Sequence, residues 1–508
     1  MHTTVASSPG KVLLAGGYLV LDQHYQGLVV GASARFYCAV TTFKPDDKTH
    51  FADNTFPIVV QSPQFESAEW AYTLSYLPEL KIWKLSENTA LRNPFVEIVL
   101  FYTFNLLEYT LGHEMFVQRW NNAGLKIKVF GDNDFYSQQE RLSERGLPNT
   151  TQSLQSLPRF LPTGTTLSKV HKTGLGSSAT LVTSLVAALF THFGFSQTLT
   201  RQPEATGSSL SVDFLAWVHN MAQFCHCLAQ GKIGSGFDVS AAVYGSHLYR
   251  RFNPAVLEPI LPSEFTLTKL PTLDLPHLHS TLSPDHAGWD HTKQPAALPP
   301  GFRLMLADVD AGSHTPSMVS KVLAWRKTHP SAAQQLWDAL GNLNHGLASL
   351  FQELTQEAHL HKDAYQQALD QFTQLPTHQW ANVCNTEPTL QDSPIVDIAQ
   401  RFVKVASTFA TIRQYLRDMG DQSHVPIEPI RQTELLDRCM QVAGVVMAGV
   451  PGAGGYDAIF CVILGDASAK QVESVWNEWK DMNVSPLLVE ESKGGVRLED
   501  PDQILTGN

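Results

Sequence analysis

Apolar and polar positions change their period several times along the chain, and each change marks an element. Between Lys11 and Phe43 the short β-rich runs KVLLAGG, LVVGASA and FYCAVTTF are separated by turn residues. That pattern predicts a meander of antiparallel strands rather than strand-helix alternation. Helical spacing follows from Pro94 to Tyr109, and GLKIKVFG at 124–131 reads as a further strand. From Ser177 to Phe193, Leu181, Leu185, Val186, Leu189 and Phe190 recur at helical intervals, so the glycines just before them open a helix. A second helical run, Val212 to Ala229, leads into GKIGSGFDVSAAVYG, again a glycine loop ahead of a helix. FRLMLADVDA at 302–311 predicts a buried strand, and helices dominate from Pro316 to about Met419. Strands return at 444–449, 458–464 and 485–490, with a helix between the last two. The sum is an α+β chain with a domain boundary between residues 250 and 300.

Between Pro254 and Pro300 the period is lost in a stretch rich in Pro, His, Ser and Thr, which reads as a surface insertion. His277, His279, His286 and His291 cluster there, but without Cys or paired carboxylates they are assigned no chemistry. Cys225-His226-Cys227 lies within a helical run and lacks the second ligand pair of a zinc site, so it is read as helix interior.

Charge narrows the partners. A formal net charge of −12 argues against nucleic acid or an anionic membrane, both of which reward broad basic patches. The six scattered cysteines suit a reducing compartment. The polar N-terminal residues do not read as a secretory signal and no run reaches transmembrane length, so a cytoplasmic protein is expected. Oligomeric state is left open.

Chemistry concentrates in three glycine segments. Lys172-Thr173-Gly174-Leu175-Gly176-Ser177-Ser178-Ala179 offers successive N–H groups, a helix N-terminus and two hydroxyls, which suits a triphosphate and equally suits a tight turn with an N-cap. It is neither a Walker A loop nor part of a protein-kinase motif set. Ser7-Ser8-Pro9-Gly10-Lys11 brings a lysine into a strand, and Gly452-Ala453-Gly454-Gly455-Tyr456-Asp457 lies between two strands.

Taken together, SSPGKVLLAGGY, KTGLGSSAT and GVPGAGGYDA resemble the three ordered motifs of the GHMP kinase superfamily. GDNDFYSQ, QGKIGSGFDVSAAVYGS and PGAGGYDAI are most similar to the phosphomevalonate kinase family of the fungal type, with Ser8 where that motif usually has Ala. The resemblance implies a two-domain GHMP fold with largely antiparallel mixed sheets. It divides the chain into an ATP-binding domain (1–270), an insertion or linker (271–300) and a second domain (301–508).

It also implies ATP with Mg²⁺ and 5-phosphomevalonate as the small-molecule partners. Gly174, Leu175, Gly176, Ser177, Ser178 and Ala179 would wrap the phosphates, with Lys172 beside them and Ser178 helping to hold the metal. Lys11 and Asp238 correspond to the catalytic lysine and aspartate. Because a phosphomonoester is mostly dianionic at neutral pH, Asp238 is expected to orient Lys11 rather than to act as a base. Acceptor contacts are expected from Lys11, Tyr136, Ser137, Gln138, Ser235, Arg250, Arg251, Ser313, Gly452, Ala453 and Gly454. The rivals are another kinase of the superfamily, such as a mevalonate kinase, and a ligand sensor built on the same fold.

Overall fold

The computed structural model describes residues 2–44, 54–89, 91–199, 210–269, 272–309, 315–385, 394–492 and 494–505. Its first sheet contains β1 (Thr3–Ala15), β2 (Gln26–Phe43), β3 (Thr55–Gln61), β4 (Glu69–Leu77), β5 (Ile82–Glu87), β6 (Gly124–Gly131), β7 (His247–Arg250) and β8 (Thr292–Pro295). The second sheet contains β9 (Phe302–Val309), β10 (Val445–Gly449), β11 (Ala458–Leu464) and β12 (Val484–Leu487). A last strand, β13 (Arg497–Glu499), returns to the first sheet. The strand orders are β13-β1-β2-β6-β3-β4-β5, with β7 on β2 and β8 on β7, and β10-β11-β9-β12. The pairings are antiparallel except β3 with β6.

The expected meander between residues 11 and 43 is instead two long strands joined by one 3-10 turn, Gly17–Leu21. β2 is buried over most of its length on both faces, so it shows no polar alternation to mark it as one element. The small residues within it, which read as turns, are there for close approach. A Cβ on Gly31 would meet Gly245 Cα at 3.1 Å. The Pro9-Gly10 segment likewise lies inside β1, at a register shift between Pro9 and Lys11.

The helices follow the sequence closely. Pro94–Leu111 starts with Pro in its first turn and Asn93 accepting from Val96 N, while Ser177–His192 and Val212–Gln230 pack against it. Ser177–His192 also crosses β1 and β2, which sets its N-terminus beside Lys11. In the second half, Pro330–Leu360 packs on Pro394–Ser423, and the latter supports β10.

Residues 271–300 do not behave as a solvated insertion throughout. The helix Leu275–Leu282 buries Leu275, Leu278 and Leu282, Trp289 is also buried, and β8 extends the first sheet. Their Pro and His content masked an amphipathic turn and an edge strand. At the far end Arg35, only 3% exposed, donates to Ser7 Oγ (2.7 Å), Ser7 O (3.0 Å) and Gly495 O (2.7 Å), tying the C-terminal segment to β1.

Candidate active site

Three separated pieces of sequence meet at one cavity of about 470 Å³. β1 brings Lys11, the glycine loop with the helix Ser177–His192 brings Lys172 to Ser178, and the start of the helix Phe237–Tyr244 brings Ser235 to Asp238. The third glycine segment, Gly452 to Gly454, closes one wall together with Asp457.

Lys11 is the hub. Its backbone N–H donates to Leu175 O at 3.0 Å and its Nζ to Gly174 O at 2.7 Å, so strand and loop are laced together. Burial lowers its pKa, while the carboxylates of Asp238 and Asp457 raise it. Gly176 has φ +83° and caps the helix; a Cβ there would reach Lys11 Cγ and Cε at 3.3 Å and Asp238 Cβ at 3.9 Å. The glycine therefore preserves the space in which lysine, carboxylate and helix N-terminus face one another.

Asp238 sits in the first turn of its helix and accepts from Val239 N at 2.9 Å. Ser178 Oγ lies 3.1 Å from His226 Nε2, which is also 3.1 Å from Gln230 Nε2 and 3.9 Å from Asp238 Oδ2. Burial lowers the His226 imidazole, opposed by Asp238 and assisted by Lys232. Burial also lowers Lys172.

The third segment is fixed from two sides. Tyr18 Oη donates to Ala453 O at 2.8 Å, Gly452 N to Leu13 O at 3.2 Å, and Gly455 N to Ile427 O at 2.8 Å. Behind Ile427, the buried Glu428 carboxylate is gripped by Arg413 at 2.7 Å and Arg417 at 2.7 Å. Asp457 leads into β11 rather than capping a helix.

Arg250, Arg251, Tyr136, Ser137 and Gln138 lie outside the lining of this cavity. Arg251 donates to Leu21 O (2.6 Å), Ile233 O (3.1 Å) and Gly234 O (2.6 Å), holding the loop that precedes Asp238 instead of opening onto the cavity. Arg250, on β7, pairs with Asp290. Both guanidiniums donate to protein acceptors, and neither lines this cavity.

Tyr136 is 2% exposed and packs edge-on to Phe65 at 5.0 Å. Ser137 and Gln138 line a neighbouring cavity of about 310 Å³ with Asp134 and Arg159. Ser235 lines the main cavity and its carbonyl accepts from Tyr249 Oη at 2.7 Å. Leu175 and Ala179 are buried beneath the loop, and Ser313 lies outside the described residues.

Sequence reasoning missed His226, Gln230, Lys232 and Tyr18, all of which line the main cavity. His226 and Gln230 are spaced i, i+4 on one helix, a signal hidden by the apolar residues around them. The chemistry available is that of an N–H-rich cleft with Lys11, Lys172 and Lys232 against two carboxylates, Asp238 and Asp457, suited to polyanionic oxygens.

Comparison with known proteins places the chain by family and fold. Residues 402–481 match the family described as GHMP kinases C terminal. The chain is 37% identical over 515 residues to a peroxisomal phosphomevalonate kinase of Arabidopsis thaliana, covering 98% of this chain and 96% of that protein. It is 37% identical to the phosphomevalonate kinase of Gibberella zeae (99% and 98% covered) and 32% identical to that of Candida albicans (98% and 98%). Among solved structures, Streptococcus pneumoniae phosphomevalonate kinase in complex with phosphomevalonate and AMPPNP superposes with TM-score 0.52 at 13% identity, covering 97% of this chain and all of that one. A Lin0012 protein from Listeria innocua gives 0.61 at 13% identity, with 98% and 100% covered.

Proposed function

The chain belongs to the phosphomevalonate kinase family, and from that premise we propose how its cleft transfers the γ-phosphoryl group of ATP to 5-phosphomevalonate, giving ADP and 5-diphosphomevalonate in the mevalonate pathway of isoprenoid and sterol synthesis. The observation that carries the reading is the convergence of Lys11, Asp238 and the N-terminus of the helix Ser177–His192 around Gly176.

The loop N–H groups and the helix dipole bind the triphosphate, with Lys172 adding positive potential. The Ser178 hydroxyl, an oxygen donor in the first helical turn, fits Mg²⁺ and would hold it. When bound, that ion neutralises charge on the phosphates. The acceptor arrives already as a dianion, so no hydroxyl proton needs removing. Lys11 offsets the repulsion between acceptor phosphate and γ-phosphate, and Asp238 keeps Lys11 charged and aimed.

Lys232 at the cavity wall is the cation we assign to the acceptor phosphate, in place of Arg250 and Arg251. Gly452 to Gly454 bring backbone close to both substrates. Lys232→Ala is expected to raise KM for the acceptor well above any change in KM for ATP.

Coupled ADP release with Mg·ATP and, in parallel, 5-phosphomevalonate, mevalonate, galactose and homoserine tests the reading. Turnover confined to 5-phosphomevalonate is expected. Turnover on mevalonate would require Asp238 as a base, and silence on all four would make the protein a sensor. We propose a cytoplasmic placement on the five free cysteines among the described residues, which suit a reducing compartment. Imaging of the tagged protein would decide between that and the peroxisome.

A further inference from the structure

His226 is 3% exposed, belongs to no expected catalytic set, and meets the phosphate loop directly. Its Nε2 is approached by two groups at 3.1 Å, Ser178 Oγ and Gln230 Nε2. An amide nitrogen can only donate, so Nε2 is the lone-pair nitrogen of the ring, and the Ser178 hydroxyl is then also a donor to it. With its hydrogen committed to His226, Ser178 keeps both oxygen lone pairs free for a cation. The Asp238 carboxylate, 3.9 Å from the same nitrogen, is beyond hydrogen-bond reach and does not compete.

Phe95 lies against the ring with centroids 5.9 Å apart, and Gln230, one turn along the same helix, completes its support. Without such a partner a serine hydroxyl in a first helical turn is free to turn its hydrogen toward the cavity, where it would repel a cation.

We propose that His226 is a positioning residue that orients the Ser178 hydroxyl so that its oxygen is presented to the divalent cation of the bound nucleotide, with Gln230 fixing the ring nitrogen that does so. The inference rests on the nucleotide-binding reading of this cleft and adds the residue on which its metal dependence turns. His226 itself touches neither phosphate nor metal.

The test is calorimetric binding of AMPPNP to the full chain, with Mg²⁺ and with EDTA, for wild type, His226→Ala, His226→Gln and Ser178→Ala. Gln is chosen because its side-chain oxygen can accept where Nε2 does. In wild type, Mg²⁺ is expected to strengthen binding. His226→Ala is expected to lose about tenfold of that strengthening, the cost of one misdirected hydrogen bond, with metal-free affinity within about twofold. His226→Gln is expected to recover most of the loss, and adding His226→Ala to Ser178→Ala to cost nothing further.

Unchanged strengthening in His226→Ala, equal losses with and without Mg²⁺, or no recovery by Gln would each overturn the proposal while leaving the kinase reading intact. Failure of wild type to bind AMPPNP at all would instead overturn the reading on which it rests.

Discussion

The Asp238 carboxylate sustains the charge of the Lys11 ammonium against the burial that lowers it. Replacing Asp238 by Asn removes one of the two carboxylates that raise Lys11, so its pKa falls further. The expected outcome is a loss of kcat of about a hundredfold or more, comparable at about pH 5.5 and about pH 8, either side of the acceptor's second pKa. The alkaline limb of the pH profile should also move to lower pH. Rescue at high pH alone would make Asp238 a general base.

The adjacent arginines should separate cleanly. Arg251 satisfies two carbonyls of the loop before Asp238 and one of the turn after β1, so Arg251→Ala is expected to cost about 2–4 kcal/mol in denaturant unfolding and to lower kcat. Arg250→Ala, which loses a partly exposed pair with Asp290, is expected to leave KM for the acceptor within about twofold. A large acceptor KM effect in the second variant would restore it as an anion site.

Ser8 occupies the place of the family's usual alanine, and its Oγ is buried without a hydrogen-bond partner among the described residues. Ser8→Ala removes an unsatisfied hydroxyl, worth about 1 kcal/mol. A small rise in Tm with unchanged kinetics is expected, and a fall in Tm would show that the hydroxyl is used.

Asp134 beside the second cavity is raised to about 6 by burial, from 3.8. The folded protein thus holds this proton more tightly than the unfolded chain, so the stabilising contribution is present below about pH 4 and is lost as pH rises through 6. Asp134→Asn keeps an acceptor for Leu488 N and is expected to stabilise the protein by roughly 2–3 kcal/mol at pH 7.5 and negligibly at pH 4. Urea midpoints at the two pH values measure it.

How much of this was legible from sequence depended on whether a residue's role is local. The helix Ser177–His192 and the strands β10 and β11 announce themselves through period and flanking glycines. Lys11, Asp238 and Ser178 stood out in one dimension because each sits inside a glycine motif, and the fold brings all three to one cavity. β2 was broken into pieces because burial on both faces erases alternation. Arg251 was read as an anion site, and the fold sets it on carbonyls, because a guanidinium that grips carbonyls and one that grips phosphate look alike in one dimension. His226 and Lys232 acquire meaning only when the helix Val212–Gln230 is laid against the phosphate loop.

β1, the strand that carries Lys11, is completed by β13, and the side chains of Ser7 and Glu499 that join them are separated by 492 positions. During synthesis, the outer edge of the lysine's strand stays unpaired until the chain 492 positions beyond Ser7 has been made. Such a distant pairing is slow to close and leaves a sticky edge meanwhile. A chain halted before Arg497 would therefore carry every glycine motif and still present the strand of Lys11 with one side open, a substrate for chaperones before it is an enzyme.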